Sequence, residues 1–469
     1  MKLTSNAVTT FIPIVIILIL IADFGMKKYA LDKEDDPSES VEFSLLDIAR
    51  THVEIAEADQ DRAMLWGRLG GSESERDSAR LLAIQLSPYS RVEPPESVEF
   101  EAYRPLRWNL SLSDGSVLLS AVPAPFDAWF PNLKDTAIQF IADETDWTAV
   151  RGKWAFLEAE MPFRPSATSV REKLLYQKAV ESGAAGFIFS LPHPAGDWKT
   201  AVPVDKPFTK FDTFFPDHRR PIPSFCISSD DGKRLRASLE ASPTLASTIE
   251  YAEETKQKGI NTIATLEGEG EANVILAVHL DAFFSGAVDD ASGIAVLVGL
   301  ARALEATPPE SRRANFTFVG LSAHHDEGAG IRAFVAEDPE RINSTETFIL
   351  LEHLDNHHGN DAGKNDWPEN LNDFRGAYIG PNGWPGIDDK LENMVIESGL
   401  MTELENIRLQ CIADLFVVCD QLQPFTLIQS PPYYHTNHDT IDKLTEQGLQ
   451  NALEFHLRLL EEAGYITRD

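Results

Sequence analysis

From about residue 248 onward, short unbroken apolar runs alternate with stretches whose apolar residues recur every three or four positions. The runs at 273–279, 315–323, 347–355 and 425–430 predict strands. The stretches at 292–304, from 331 through 335 and beyond, at 389–398 and at 445–462 predict helices. Strands without polar alternation are covered on both faces. Their separation by amphipathic helices predicts an α/β unit with a mostly parallel central sheet flanked by helices.

Upstream the pattern is less uniform. Residues 44–58 and 72–86 have helical spacing, the second carrying Ala79, Leu81, Leu82 and Ile84 among charges, and strand-like stretches follow to about Val122. A second pattern runs from about Pro123 to Ser242: a strand at 153–157, a helix at 172–181 ended by Gly183, a strand at 184–189, and 222–228 leading into a helix from Asp231. This predicts a smaller inserted α/β or β-rich unit, and no catalytic cluster falls inside it. At the N-terminus, Lys2 and a polar start precede the apolar run 11–22, which suits a signal peptide or a short membrane anchor. Residues 31–41 are an acidic, Pro- and Ser-containing linker. The expected divisions are 1–30 as signal or anchor, 31–122 as linker and N-terminal part of the catalytic domain, 123–242 as the insertion and 243–469 as the catalytic domain. A leader of this kind places the folded part outside the cytoplasm, in a periplasmic, extracellular or membrane-anchored location.

Charge narrows the choice of partner. Lys and Arg total 41 against 74 Asp and Glu, a formal charge of −33, which excludes a protein built to neutralise phosphates and so excludes nucleic acid. Cys226, Cys411 and Cys419 match neither a zinc-knuckle nor a disulfide-framework spacing, so they are expected to be buried small apolar residues. His-Glu-x-x-His, Gly-x-Ser-x-Gly and phosphate-loop motifs are absent from the sequence.

Eight of the twelve histidines lie between His279 and His438, grouped at the ends of expected strands. In an open parallel sheet these ends converge on one crevice. The first strand delivers His279-Leu280-Asp281. Gly286-Ala287-Val288-Asp289-Asp290-Ala291-Ser292-Gly293 precedes a helix; Asp290 or Ser292 suffices as its cap, which leaves a spare carboxylate able to bridge two cations. The next strand ends in His324-His325-Asp326-Glu327-Gly328, and the following one in Glu352-His353-Leu354-Asp355 with His357 and His358 beyond. Tyr433-Tyr434 leads into His435-Thr436-Asn437-His438-Asp439-Thr440. Nitrogen and oxygen donors without cysteine suit zinc, singly or as a pair.

In their order and strand contexts, His279-x-Asp281, the Gly286–Gly293 loop, Asp355 and His435-x-x-x-Asp439-Thr440 resemble the catalytic domain of the M28 family of zinc exopeptidases, of aminopeptidase and glutamate carboxypeptidase type. Residues 123–242 resemble the protease-associated (PA) domain inserted in such enzymes, through Val150-Arg151-Gly152-Lys153, the stretch 179–186 and Ile222-Pro223. The resemblance implies that His279 and Asp355 hold one zinc, that Asp289 bridges, that His435 holds the second, and that Asp281 orients His279. It also implies two adjacent glutamates, a general base and a zinc ligand, where gapless alignment places His324 and His325. Read this way, His324 is the base and His325 a ligand; a two-residue shift would instead put Asp326 and Glu327 in those roles. Tyr433 or Tyr434 is placed to donate to the oxyanion, or else packs beside Pro431 and Pro432. Ile379 to Gly386, with Trp384, is expected to rim the crevice. Two functions stay open: a hydrolase of a terminal peptide or small amide bond, and a peptidase-fold ectodomain that binds a peptide or protein partner without hydrolysing it.

Overall fold

The computed structural model describes residues 43–468 apart from 59, 62, 126–127, 145, 159–173, 192–197, 203–218, 356–373, 381, 401–405, 410, 431–432 and 434. The apolar run at 11–22 lies outside the described residues, among which no helix is long and apolar enough to cross a membrane.

The chain begins with two helices, α1 (Leu45–Glu57) and α2 (Glu73–Leu86), then the short strands β1 (Arg91–Val92) and β2 (Glu96–Glu101). Next come β3 (Pro105–Leu112), β4 (Val122–Pro123), β5 (Leu133–Ile141), β6 (Trp154–Glu158), a helix at 174–181, β7 (Gly186–Ser190), β8 (Ser224–Ile227), α3 (Ser229–Ser238) and β9 (Thr244–Tyr251). They are followed by β10 (Lys256–Leu266), β11 (Ala272–His279), α4 (Ser292–Ala306), β12 (Ala314–Leu321), α5 (Ala329–Glu337), α6 (Pro339–Asn343) and β13 (Thr347–Leu351). The last elements are β14 (Phe374–Ile379), α7 (Leu391–Glu397), β15 (Asn406–Leu409), α8 (Leu415–Val418), β16 (Gln423–Ser430) and α9 (Glu446–Glu462).

Two sheets result. The larger has the order β1-β10-β12-β11-β13-β16-β14-β15, with β2 also pairing β10. Its four central strands β12, β11, β13 and β16 are mutually parallel, and antiparallel pairings lie toward the edges. The parallel centre matches the expectation, because Val274 to Val278 are fully buried and leave no face for water. One face carries Ile275, Ala277, Val319, Leu321, Phe348 and Leu350 against Ile331 and Phe334 of α5 and Leu415 and Val418 of α8. The other face is covered by α4, buried nearly all round from Ser292 to Ala301 and packed against α1 and α9.

The smaller sheet has seven strands in the order β3-β9-β5-β6-β7-β8-β4. It reaches from Pro105 to Tyr251, beyond the expected span of 123–242 on both sides, because β3 and β9 pair as its outer ribbon. The cysteine expectation is corrected. Cys411 and Cys419 are bonded, with Cα atoms 6.1 Å apart, and Cys226 is a buried thiol outside any disulfide. A spacing of eight residues carries no framework signature, and the loop around α8 is what brings the two together.

Arg68, fully buried between α1 and α2, ties the segment after β11 in place. Its guanidinium donates to the carbonyls of Leu280 (2.8 Å), His52 (2.9 Å), Gly286 (3.2 Å) and Ser285 (3.4 Å). Ala282 and Phe284 donate in turn to the carbonyls of Arg68 and Trp66. Arg68→Ala would strand four buried acceptors, so a loss of at least about 3 kcal/mol is expected in the denaturant midpoint. A loss under about 1 kcal/mol would show that water satisfies them instead.

Candidate metal centre

The parallel register brings the carboxyl ends of β11, β12, β13 and β16 to one edge, so each loop that leaves them projects over the same spot. His279 ends β11, His324 and His325 follow β12, Glu352 and His353 follow β13, and His435 follows β16. Asp289 enters from the turn before α4.

Asp289 is the centre of the arrangement. Its Oδ1 lies 3.0 Å from His279 Nε2 and 3.2 Å from His353 Nε2; its Oδ2 lies 3.2 Å from His435 Nε2 and 3.8 Å from His325 Nε2. His325 Nε2 and His435 Nε2 are themselves 3.0 Å apart. Two buried triads therefore share one carboxylate: His279, Asp289 and His353, and Asp289, His325 and His435, each with its donor atoms within 4.8 Å of one another. Such spacing is what ligands have around an ion bonded at about 2.0–2.1 Å.

The ring orientations fit metal binding. His279 Nδ1 lies 2.9 Å from the Asp281 carbonyl and His325 Nδ1 lies 2.7 Å from Asp281 Oδ2, which leaves both Nε2 atoms turned inward. His279 Nε2 is buried and has no hydrogen-bond partner. A set of imidazoles and one carboxylate suits borderline divalent cations. Burial disfavours a charged His279, yet Asp290 and its neighbours lift it well above the usual imidazole range. Burial would raise Asp289, but the surrounding imidazoles hold it well below the usual carboxylate range. Burial pushes His435 down to about 3, which keeps it neutral as a ligand must be.

Neighbouring groups fix the frame. Asp439 accepts from the main-chain N–H of Val288 (2.9 Å) and Asp289 (3.1 Å) and so aims the shared carboxylate. Asp290 accepts from the N–H of His279 (3.3 Å) and Gly293 (3.1 Å), which makes it the cap residue of that adjacent pair. Glu75, on α2, accepts from Ser322 Oγ (2.8 Å) and from the N–H of Ala323 (2.7 Å), and holds the corner before His324. Ala323, His353 and His435 have φ of +53°, +53° and +58°, a strained left-handed backbone concentrated where the ligands are presented.

Not every expected residue takes its expected place. Asp281 orients His325 as well as His279: its carboxylate accepts from the His324 N–H (2.8 Å), the His325 N–H (2.9 Å) and the His325 ring, and its carbonyl meets the His279 ring. Asp355 belongs to no metal-competent group among the described residues. Its carboxylate accepts from Thr445 Oγ1 (3.0 Å) and the Thr445 N–H at the start of α9, where a helix N-terminus favours an anion. Gly448 leaves room for it, since a Cβ there would sit 1.6 Å from Asp355 Oδ1. His353 occupies the vacated position. Two residues apart in an extended strand would share a side, but positive φ at both His353 and Asp355 separates them.

Asp326 is engaged by Arg104 Nη2 at 2.8 and 2.9 Å, and neither it nor Glu327 belongs to a metal-competent group among the described residues. His324 stacks on His279, ring centroids 4.4 Å apart, with its Nδ1 3.0 Å from Asp414 Oδ2. Burial opposes charge on His324, but Asp414 outweighs it and the ring is lifted to about 9. Tyr434, His357 and His358 lie outside the described residues, and Tyr433 is buried. Trp384 packs against Phe425 beneath the surface, with 8% of its area exposed, so it is core rather than rim.

Sequence reasoning assigned no role to three features. His353 stood in a quoted strand end, and its signal was its position directly after the apolar run. Asp414 had no signal. Nor had the segment 198–201 beside the smaller sheet, which runs along the His435 loop: Ala201 N–H donates to the His435 carbonyl (3.0 Å), Lys199 N–H to Asn437 Oδ1 (2.8 Å), and Trp198 stacks on His438 at 3.9 Å.

Residues 261–379 match the sequence model of Peptidase family M28. No curated protein sequence matches the chain. Among solved structures, an aminopeptidase from Aneurinibacillus sp. strain AM-1 is 19% identical over 87% of this chain and 92% of that one, with a TM-score of 0.54. A zinc aminopeptidase from Bacillus subtilis is 17% identical over 92% and 97%, with a TM-score of 0.62. A peptidase M28 precursor from Shewanella amazonensis SB2B is 16% identical over 91% and 96%, with a TM-score of 0.63. The M28 resemblance drawn from the motifs therefore stands on a sequence match over that segment and on a shared fold.

The geometry separates His353 from Asp355 by experiment. His353→Ala is expected to lose about one bound zinc of two and to weaken metal binding about 10–100-fold or more, whereas Asp355→Asn should keep full stoichiometry and lose thermal stability instead. Metal analysis after dialysis checks both; metal loss in Asp355→Asn with none in His353→Ala would make Asp355 the ligand after all.

Proposed function

We propose that this chain is a zinc-dependent exopeptidase of aminopeptidase type that hydrolyses a terminal peptide or small amide bond. One observation carries the reading: a single buried carboxylate, Asp289, faces two imidazoles on each of its oxygens. The M28 match over 261–379 and the fold shared with zinc aminopeptidases support zinc as the ion and a peptide as the substrate. Zinc bound there would polarise the scissile carbonyl and lower the pKa of a water molecule.

The chain's own residues do the remaining work. His279 and His353 hold one side of Asp289, His325 and His435 the other. Asp281 keeps His325 turned inward, and Asp439 keeps Asp289 aimed between them. His324, beside His325 and stacked on His279, is the group that takes a proton from the attacking water and returns it to the leaving amine. Phe283, 4.5 Å from the His325 ring and 5.0 Å from that of His435, screens this side from water. In the same reading, the smaller sheet is a PA-like insertion, the N-terminal apolar run exports the chain or anchors it to a membrane, and the catalytic unit works outside the cytoplasm.

The replacement of two expected glutamates by His324 and His325 favours a second reading, a metal-holding ectodomain that binds a peptide without cleaving it. Turnover decides between them. The purified chain is expected to bind about two zinc ions and to cleave aminoacyl anilides or dipeptides, with activity abolished by a chelator and restored by zinc. Peptide binding with zinc present and no turnover on a broad panel would select the second reading; absence of bound metal would overturn the first.

A further inference from the structure

Of the four imidazoles around Asp289, His435 stands furthest beyond its strand. β11 ends at His279 itself and β13 at Leu351, whereas β16 ends at Ser430 and leaves His435 in a loop, with φ of +58°. Strand register therefore does not fix this ring, and a left-handed backbone persists only where other contacts over-determine it.

The smaller unit supplies those contacts. Segment 198–201, which lies between β7 and β8 in the chain, runs antiparallel to 435–438, with Thr200 bridged to Thr436. Ala201 N–H donates to the His435 carbonyl (3.0 Å), Asn437 N–H to the Lys199 carbonyl (3.2 Å), and Lys199 N–H to Asn437 Oδ1 (2.8 Å). Trp198, with 5% of its area exposed, closes this ladder by stacking on His438, the rings 20° from parallel. Ala201 and Val202 are buried in the apolar core of the smaller sheet. Phe283 belongs to the same core, and its ring meets those of His325 and His435. Asp439 is tied separately: its carbonyl accepts from Ala287 N–H (3.2 Å) and its carboxylate from Val288 and Asp289. The aim of the shared Asp289 carboxylate thus does not run through segment 198–201, while the placing of His435 does.

We propose that Trp198 is a positioning residue for His435, and that through the 198–201 ladder the smaller unit sets how tightly the His325–His435 side of the centre holds its ion. The role rests on the two-zinc reading above. Groups that orient a metal ligand without touching the metal are worth about 10–100-fold in affinity. The His279–His353 side, presented by β11 and β13 of the larger sheet, is independent of this support.

The test uses the full-length chain, stripped of metal and titrated with zinc against a chromophoric chelator. His353→Ala leaves the His325–His435 side intact, and adding Trp198→Ala to it is expected to weaken zinc binding about 10–100-fold further. His435→Ala leaves the other side, and there Trp198→Ala should change zinc affinity less than about twofold. Trp198→Phe keeps an aromatic face for His438 and should recover most of the loss. A merely structural role would not select one ion over the other. Equal weakening in both backgrounds, weakening in neither, or a Trp198→Phe variant as weak as Trp198→Ala would each overturn the role. Should Trp198→Ala not fold, Asn437→Ala, which removes the acceptor of Lys199 N–H, decides in the same two backgrounds. Zinc binding at least about threefold weaker in His353→Ala alone is expected, and no change in either background overturns the role. A wild type that binds fewer than about two zinc ions removes the two-zinc reading itself, a failure distinct from a two-zinc wild type that is indifferent to Trp198.

Discussion

The carboxylate of Asp289 is the constraint around which this edge of the sheet is organised. An ionised carboxylate taken wholly out of water costs several kcal/mol unless positive charge and donors meet it. Here the N–H groups fixed by its neighbours turn it outward from the α4 turn, and four imidazoles face its two oxygens. Without cations the imidazoles can satisfy it only by holding protons, which is why burial and charge pull His279 and His435 in opposite directions. Cations in the two triads would replace those protons with the charge the geometry calls for.

A centre built mainly from neutral ligands places its negative charge elsewhere. Asp281, Asp290, Glu352, Asp414 and Asp439 are all buried around the histidines. Asp281, Asp290 and Asp439 accept from backbone or ring N–H groups and leave the Asp289 carboxylate to the imidazoles. The groups that balance the charge of the centre thus also set its orientation. The same arrangement explains the strained backbone at Ala323, His353 and His435, which persists because carboxylates and main-chain donors on other elements over-determine it. The His435 loop in particular is held partly by residues 198–201, so the segment beside the smaller sheet is a structural partner of the metal centre and not only an appendage.

Hydrophobic pattern alone located the four central parallel strands of the larger sheet and the helices α4, α5, α7 and α9 within a few residues, because an apolar run buried on both faces has no other stable setting, whereas β10, β14 and β15 had no counterpart in the expectation. It also placed His279, Asp289, His325 and His435 together, since parallel strands deliver their carboxyl ends to one edge whatever lies between them in sequence. The choice between His353 and Asp355 was beyond it. That choice depends on two left-handed residues and on a helix N-terminus ninety positions away that takes the aspartate. The bond between Cys411 and Cys419, the turn of Asp281 toward His325, and Asp414 behind His324 share this origin, for each is a contact between segments that no spacing rule connects. What one strand or helix can settle by its own periodicity was legible in the chain; which side chains finally touch was decided by loops, whose paths follow from long-range hydrogen bonds and the packing of both sheets.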